Sequence, residues 1–445
     1  MGRKSAGPAK PSGPIKTFKY GMPLYGLAWP EGATFYVCGG GGSVSSGIKN
    51  RLVCAEAQNG SLTDQTAEFH FGLDCPTRLA VSPGAKSIVF AMGKGGIKRL
   101  DVDTRGAVLR FTELSGAQEE RLRSITMDVK ALSFHPSGEL LALGGEDGSV
   151  VVYEWPSLKV KLDLSGDRKL SQEAIKDLDF APLPAAAAAP AAAAGAAGSS
   201  GQAAGRAVAV AAAGAGRAGR ALVVILDNGS AVALDLEQEG AVLCRVQLAK
   251  GEFKNEKVML VSSEDRLLLH HLPPGMENAQ FTRVKCRTPP GGERATLYCL
   301  MNNRAGCHVG LWELGEDGLL AMRAACKAAD APGACMDVSG DGALVAVGTS
   351  EGDVALVGCR PHLRVVRRFP KAHMVFTTNI TFNHDASCVL STSADASATL
   401  NSTALPPPPN LKRIVMLVFL LVTILLLCLL QYVRMLKQRG MTNEE

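Results

Sequence analysis

LSFHPSGELLALGGEDGSVVVYE, running from Leu132 to Glu154, decides how the chain is read. A turn at Pro136-Ser137-Gly138 opens into an apolar strand, a second turn follows at Asp147-Gly148, and another apolar strand comes after it. Pro and Gly supply the backbone angles that tight turns need, and Asp bonds the amides just beyond it. The apolar runs between the turns are strand-length and show no helical period. The unit returns at Val338 to Val357, VSGDGALVAVGTSEGDVALV, where Gly342, Gly348 and Gly352 stand in the places of Gly138, Gly144 and Gly148. Ser82-Pro83-Gly84 with Gly93 and Gly95-Gly96 is a third copy. Asp227-Asn228-Gly229-Ser230 and Asp395-Ala396-Ser397 mark the second turns of two more, and Leu297 to Leu314 is a weaker one. Short apolar strands joined by Gly/Asp turns describe four-stranded antiparallel blades. With the N-terminal strands of Lys19 to Asn50, the sequence predicts an all-β chain, a seven-bladed β-propeller over residues 17–404.

Outside the blades the composition changes. Residues 1–16 are basic and rich in Gly, Pro and Ser, with no apolar stretch resembling a signal peptide, and are expected to be disordered. Residues 182–220 are almost all Ala, Gly, Pro and Ser and interrupt one blade; they offer too little varied apolar surface to offset ordering entropy, so they read as a disordered insert. Residues 405–413 contain Pro406 to Pro409, a short polyproline stalk. From Ile414 to Leu430 every residue is apolar except Thr423, with Lys412 and Arg413 before the run and Arg434 and Lys437 after it. About 17 to 25 such residues cross a bilayer as a helix, so residues 414–433 are expected to form a single C-terminal transmembrane helix, short enough to suit the endoplasmic reticulum. Residues 434–445 would then be a lumenal tail and the propeller would face the cytosol.

The net charge of +5 is spread along the chain without a basic stretch interleaved with aromatics, which argues against nucleic acid. Twelve cysteines include no CxxC pair; Cys38, Cys54, Cys299, Cys307 and Cys335 sit singly among apolar residues, as buried thiols do in a reducing compartment. No GxSxG or HExxH occurs, and the His270-His271 pair reads as a strand end. Asp147, Asp227 and Asp395 lie in turns, where a carboxylate bonds backbone amides. The chain is expected not to be an enzyme in the bond-making sense. One loop stands apart. Between the strands Phe35-Tyr36-Val37-Cys38 and Arg51-Leu52-Val53-Cys54, GGGGSVSSGIKN replaces a two-residue turn. It fits neither GxGxxG, which would put Ser45 at the last glycine, nor a Walker A loop, which would need Ser/Thr after Lys49. Gly39, Gly40, Gly41, Gly42 and Gly47 permit a fold in which several carbonyl oxygens converge, the ligands that potassium accepts. A floppy glycine hairpin accounts for the same residues.

The repeats resemble WD repeats, with Tyr153-Glu154 or Leu234-Asp235 where the terminal Trp-Asp usually stands. A propeller that opens with Tyr20-Gly21-Met22-Pro23-Leu24-Tyr25-Gly26, continues with GGGGxxxxGIxN and ends in one apolar span resembles a narrower family. This is the endoplasmic reticulum guanine nucleotide exchange factor for the Sar-type small GTPase, a group with the animal prolactin regulatory element-binding protein and the plant phosphate transporter traffic facilitator. The resemblance covers nearly the whole chain except the Ala/Gly insert. It implies that the Gly39 to Asn50 loop binds potassium as cofactor and pushes on the GTPase near its nucleotide, with Ile48 as apolar wedge and Asn50 as polar member. It implies single-pass residence in the endoplasmic reticulum membrane and a part in starting coat-protein-II vesicle budding. Two alternatives remain: a non-catalytic facilitator that helps transporter cargo leave the reticulum, and an inert propeller scaffold.

Overall fold

The computed structural model describes residues 16–42, 46–103, 109–183, 220–248, 258–263, 266–271, 275–288, 295–315, 318–404 and 411–441. The expected N-terminal disorder at 1–15, the insert at 184–219, the stalk at 405–410 and the last four residues lie outside that description. The chain divides into two compact units, residues 1–403 and 404–445.

The first unit is a seven-bladed β-propeller of seven antiparallel sheets. Its innermost strands are Leu24–Ala28, Pro76–Val81, Val129–Phe134, Ile175–Pro182, Gln280–Arg287, Gly333–Val338 and Thr377–Phe382, each beside the next and the last beside the first. The central strands of a blade are buried on both faces, which is why they read as unbroken apolar runs rather than alternating ones. In Thr34–Gly39 of the first blade, Phe35 and Val37 pack toward the seventh blade, while Tyr36 and Cys38 pack toward the second. The hydrophobic core is therefore divided into seven clusters, one at each junction between neighbouring blades.

Every innermost strand slips register near its start, at Leu24/Gly26, Pro76/Arg78, Val129/Ala131, Ile175/Asp177, Phe281/Arg283, Gly333/Cys335 and Thr377/Asn379. A bulge adds twist locally, and repeated seven times it brings the residue after each slip to a common level around the axis.

Three features depart from the sequence-based expectation. Thr17–Lys19 does not join the first blade: it pairs with Ser397–Ser402 as the outer strand of the seventh, so the two ends of the propeller close the ring. The fourth sheet has six strands, because Val258–Ser263 and Arg266–His271 extend it; His270 and His271 face Met259 and Val258 in that ladder. A short helix, Ala117–Arg123, links the second and third blades, where an all-β reading has none. The Ala/Gly insert falls between two paired strands, and its flanks Pro182 and Arg220 are themselves partners in the ladder.

The seventh blade holds a buried polar chain. The Ser397 hydroxyl donates to Asp395, so its oxygen accepts from His373 Nδ1 at 2.8 Å, and His373 Nε2 meets the Ser391 hydroxyl at 2.8 Å. Asp395 Oδ2 also accepts from the Met374 amide at 2.8 Å. Burial depresses the imidazole pKa to about 4, against the pull of Asp395.

In the second unit, residues Leu411–Met441 form one helix of 31 residues. Among the described residues no helix is long and apolar enough to cross a membrane; the side chains of 411–415, 417, 433 and 436–441 lie outside the description.

Two outcomes follow from these contacts. Deleting Pro184 to Gly219 should leave a cooperatively melting propeller, since Pro182 and Arg220 are already adjacent and closure entropy rises slowly with loop length; a broad, non-cooperative melt would refute this. His373 is neutral when folded, whereas an unfolded histidine protonates near pH 6.5, so its contribution is complete above about 6.5 and is lost as pH falls toward 4. Across that window the wild type should lose about 3 kcal/mol more than His373→Gln in urea titrations. Parallel pH profiles would exclude the assignment.

Candidate functional site

Strands Thr34–Gly39 and Asn50–Gln58 are partners in the first blade, with Gly39 opposite Arg51. Residues 40–49 connect them, of which 43–45 lie outside the described set. The connection is built around Asn50, whose side chain is buried. Its Oδ1 accepts from the Gly42 amide at 3.1 Å, and its Nδ2 donates to the Gly42 carbonyl at 2.8 Å and the Gly72 carbonyl at 3.0 Å. One carboxamide thus grips both polar groups of a single loop residue and ties that residue to the neighbouring outer strand.

The glycines are required by this geometry. A Cβ on Gly39 would strike the Pro23 carbonyl, one on Gly40 the Asn50 side chain, and one on Gly41 both Ser46 Oγ and Ile48. Gly42 and Gly47 have open space beside them, but their φ angles of +87° and +75° disfavour any side chain. The Tyr20-to-Gly26 segment braces the same loop: the Gly40 amide donates to the Pro23 carbonyl at 3.1 Å, and Arg51 Nη2 donates to the Tyr20 carbonyl. The other arm of Arg51 pairs with Glu68 at 2.7 Å, and that contact holds the Glu68 carboxyl below its ordinary range. Burial pushes the nearby Cys75 thiol up, against a contact with the Gly42 backbone.

Ile48 is 41% exposed, its amide donating to Ser46 Oγ at 3.3 Å. The loop therefore presents an aliphatic side chain to solvent from a pinned base. Among the described residues, no group of three or more His, Cys, Asp or Glu is placed to hold a metal ion. A cation at this loop would have backbone carbonyls as ligands, and the Gly42 carbonyl keeps a second lone pair beyond the one Asn50 uses.

The turn aspartates divide. Asp147 Oδ1 accepts from the Ser149 amide at 3.1 Å and Asp395 Oδ1 from the Ser397 amide at 2.9 Å, as turn residues do. Asp227 does not: Asn228 takes the equivalent bond from Ser230, and Asp227 pairs instead with Lys176 at 2.9 Å. The register explains the correction, since Asn228 precedes Gly229 as Asp147 precedes Gly148. The five cysteines singled out above are buried and free.

Sequence reasoning passed over Leu73, 67% exposed and next to the Gly72 that Asn50 holds, and over Met374 and Phe376, both exposed in the link leading into the seventh blade. By strand alternation these links open on the same face as the glycine loop. The available signal was an apolar residue inside a turn, as in Gly72-Leu73-Asp74.

Residues 119–154 match the family described as WD domain, G-beta repeat. The chain is similar to "SEC12-like protein 2" of Arabidopsis thaliana, 26% identical over 80% of this chain and 72% of that one. It is also similar to "SEC12-like protein 1" of the same plant, 30% identical over 32% of this chain and 34% of that one. Of solved structures, Sqt1 from Chaetomium thermophilum aligns with a TM-score of 0.56 at 11% identity, over 88% of this chain and 98% of that one. Raptor from the same fungus aligns with a TM-score of 0.54 at 9% identity, over 89% of this chain and 29% of that one. These two structures share the fold. One WD repeat is thus matched over residues 119–154, and over most of its length the chain is similar to a SEC12-like protein.

The Asn50 clamp predicts its own test. Asn50→Asp keeps the shape but cannot donate to Gly42 or Gly72, leaving two carbonyls without their donor and a carboxylate in a buried site. Stability should fall by about 1–3 kcal/mol, and cleavage by a protease added in trace amounts should appear between Gly39 and Asn50. Unchanged stability and no new cleavage would mean that the clamp does not hold the loop.

Proposed function

We propose that this chain is a guanine nucleotide exchange factor for a Sar-type small GTPase at the endoplasmic reticulum. The observation that carries the reading is the glycine loop itself, braced by Asn50 and Pro23 and presenting Ile48 outward. The similarity to SEC12-like proteins supports the same partner and compartment. The chemistry asked of such a surface is binding, without bond making. A GTPase holds its nucleotide with switch segments organised by phosphate and magnesium contacts. A rigid apolar wedge that binds better when those segments are displaced shifts the population toward the state that releases GDP. Potassium, taken by carbonyls of Gly39 to Gly42 and Gly47, would stiffen the loop in the wedge-bearing conformation.

Anchoring belongs to the same proposal. The apolar run Ile414 to Leu430 lies within a helix of 31 residues, about 46 Å long at 1.5 Å per residue, against an apolar bilayer core of roughly 30 Å. Its described large apolar side chains, among them Phe419, Leu421, Leu425 and Leu429, are exposed. Exposure of that much apolar surface is stable in lipid, which supports reading residues 414–433 as a single span that would hold the propeller at the reticulum membrane, where budding of coat-protein-II vesicles starts.

The test is GDP release from the GTPase of the same organism, followed by fluorescence. Ile48→Ala should slow release on the order of tenfold, equivalent to about 1.4 kcal/mol, as expected for losing one aliphatic contact, while its melting curve stays within about 1 kcal/mol of wild type. Replacing potassium by lithium should slow wild type as well. Equal rates for wild type and Ile48→Ala would remove the wedge assignment, and no release by wild type would favour the non-catalytic facilitator.

A further inference from the structure

Along the propeller axis runs a channel of about 560 Å³ lined by the innermost strands. Its walls are charged. Arg283, Lys285 and Arg287 alternate along one strand, and the period of two turns all three to the channel. Arg78, from the second blade, stands at the same post-bulge level as Arg283.

The carboxylates in the channel are already engaged in joining blades. Asp177 Oδ2 accepts from the Val284 amide at 2.9 Å, and Asp179 accepts from the Cys286 amide at 2.8 Å and the Ser133 hydroxyl at 2.9 Å. Asp337 accepts from the Phe382 amide at 2.9 Å and stands 3.6 Å from Arg287. Glu31 sits at the exposed lip. Arg78 is different: among the described residues its guanidinium makes no hydrogen bond and no ion pair. It lines the channel half-buried, and its pKa is pushed down to about 10, by burial first and then by Arg283, with Asp177 opposing. Arg78, Arg283 and the buried Cys335 all line this one channel. Two guanidiniums at one level, one without a partner, are costly unless an anion lies between them.

We propose that the channel is a binding site for a soluble phosphate-bearing anion, held between Arg78 and Arg283 with Lys285 and Arg287 along its path. Guanidinium forks match phosphate oxygens two at a time, and the channel volume lies in the range of small-molecule sites. The channel's residues are separate from those of the glycine loop, so this site stands or falls independently of the exchange reading.

The experiment melts the full-length chain, purified in a mild non-ionic detergent, in chloride at matched ionic strength with either inorganic phosphate at ~10 mM or myo-inositol hexakisphosphate at ~0.1 mM. A ligand bound only by the folded state should raise Tm by about 3 °C or more. A rise with phosphate alone assigns the free ion; a rise with the hexakisphosphate alone assigns a polyphosphorylated solute. In Arg78→Met the rise should vanish, while the Tm in chloride stays at or above wild type because a repelled cation is gone. Should Arg78→Met not fold, Arg283→Gln makes the same comparison. No rise for wild type with either anion, or an equal rise in wild type and variant, would overturn the proposal.

Discussion

The structure depends on a closure made by a few residues. A propeller is a ring of sheets, and a ring held by packing alone could open at the junction of its first and last blades. Here Thr17 to Lys19 pair with Thr399, Ala398 and Ser397, the Tyr20 amide donates to the Ala396 carbonyl, and the Leu400 amide donates to Lys16. These backbone bonds couple the seventh blade to the chain segment that enters the first. The seven clusters of the core follow from that closure, because each blade is stabilised by two neighbours only when the circle is complete. The polar chain through His373 lies in the same blade, so the point of greatest topological demand is also where buried hydrogen bonds concentrate.

Closure also reaches the candidate site. Directly after the closing strand come Tyr20, whose carbonyl receives Arg51, and Pro23, whose carbonyl receives the Gly40 amide. The loop that presents Ile48 is thus fastened to the segment that shuts the ring on one side and, through Asn50, to the outer strand of its own blade on the other. For the exchange role proposed above this fastening matters, since a compliant loop would bend instead of displacing its partner.

Much of this was legible in the sequence, and the exceptions have physical causes. Repeating Gly/Asp turns located the blades and their number because turn geometry is local: Gly138, Gly148, Gly342 and Gly352 all adopt the positive φ that those positions imply. Lys19, expected with the first blade, belongs instead to a strand of the seventh, because its partner, Ser397–Ser402, lies at the far end of the propeller and nothing local marks the pairing. The two extra strands of the fourth sheet were passed over because VMLVSS and RLLLHH carry no glycine turn between them. In the loop, the glycines and Asn50 stand out from sequence, whereas Leu73 is marked there only as an apolar residue inside a turn, and its place beside the loop comes from Gly72, which Asn50 holds. The unpartnered state of Arg78 is a property of the assembled ring and of no single repeat.

The position of the Ala/Gly insert has a consequence for engineering. Links in an antiparallel blade alternate between the two faces of the ring. The glycine loop joins the second and third strands of its blade, whereas the insert joins the first and second strands of another. They therefore open on opposite faces. A fluorescent or affinity module spliced between Leu183 and Arg220 would enter on the face away from Ile48, giving a handle for immobilising or imaging the protein that leaves the loop face free.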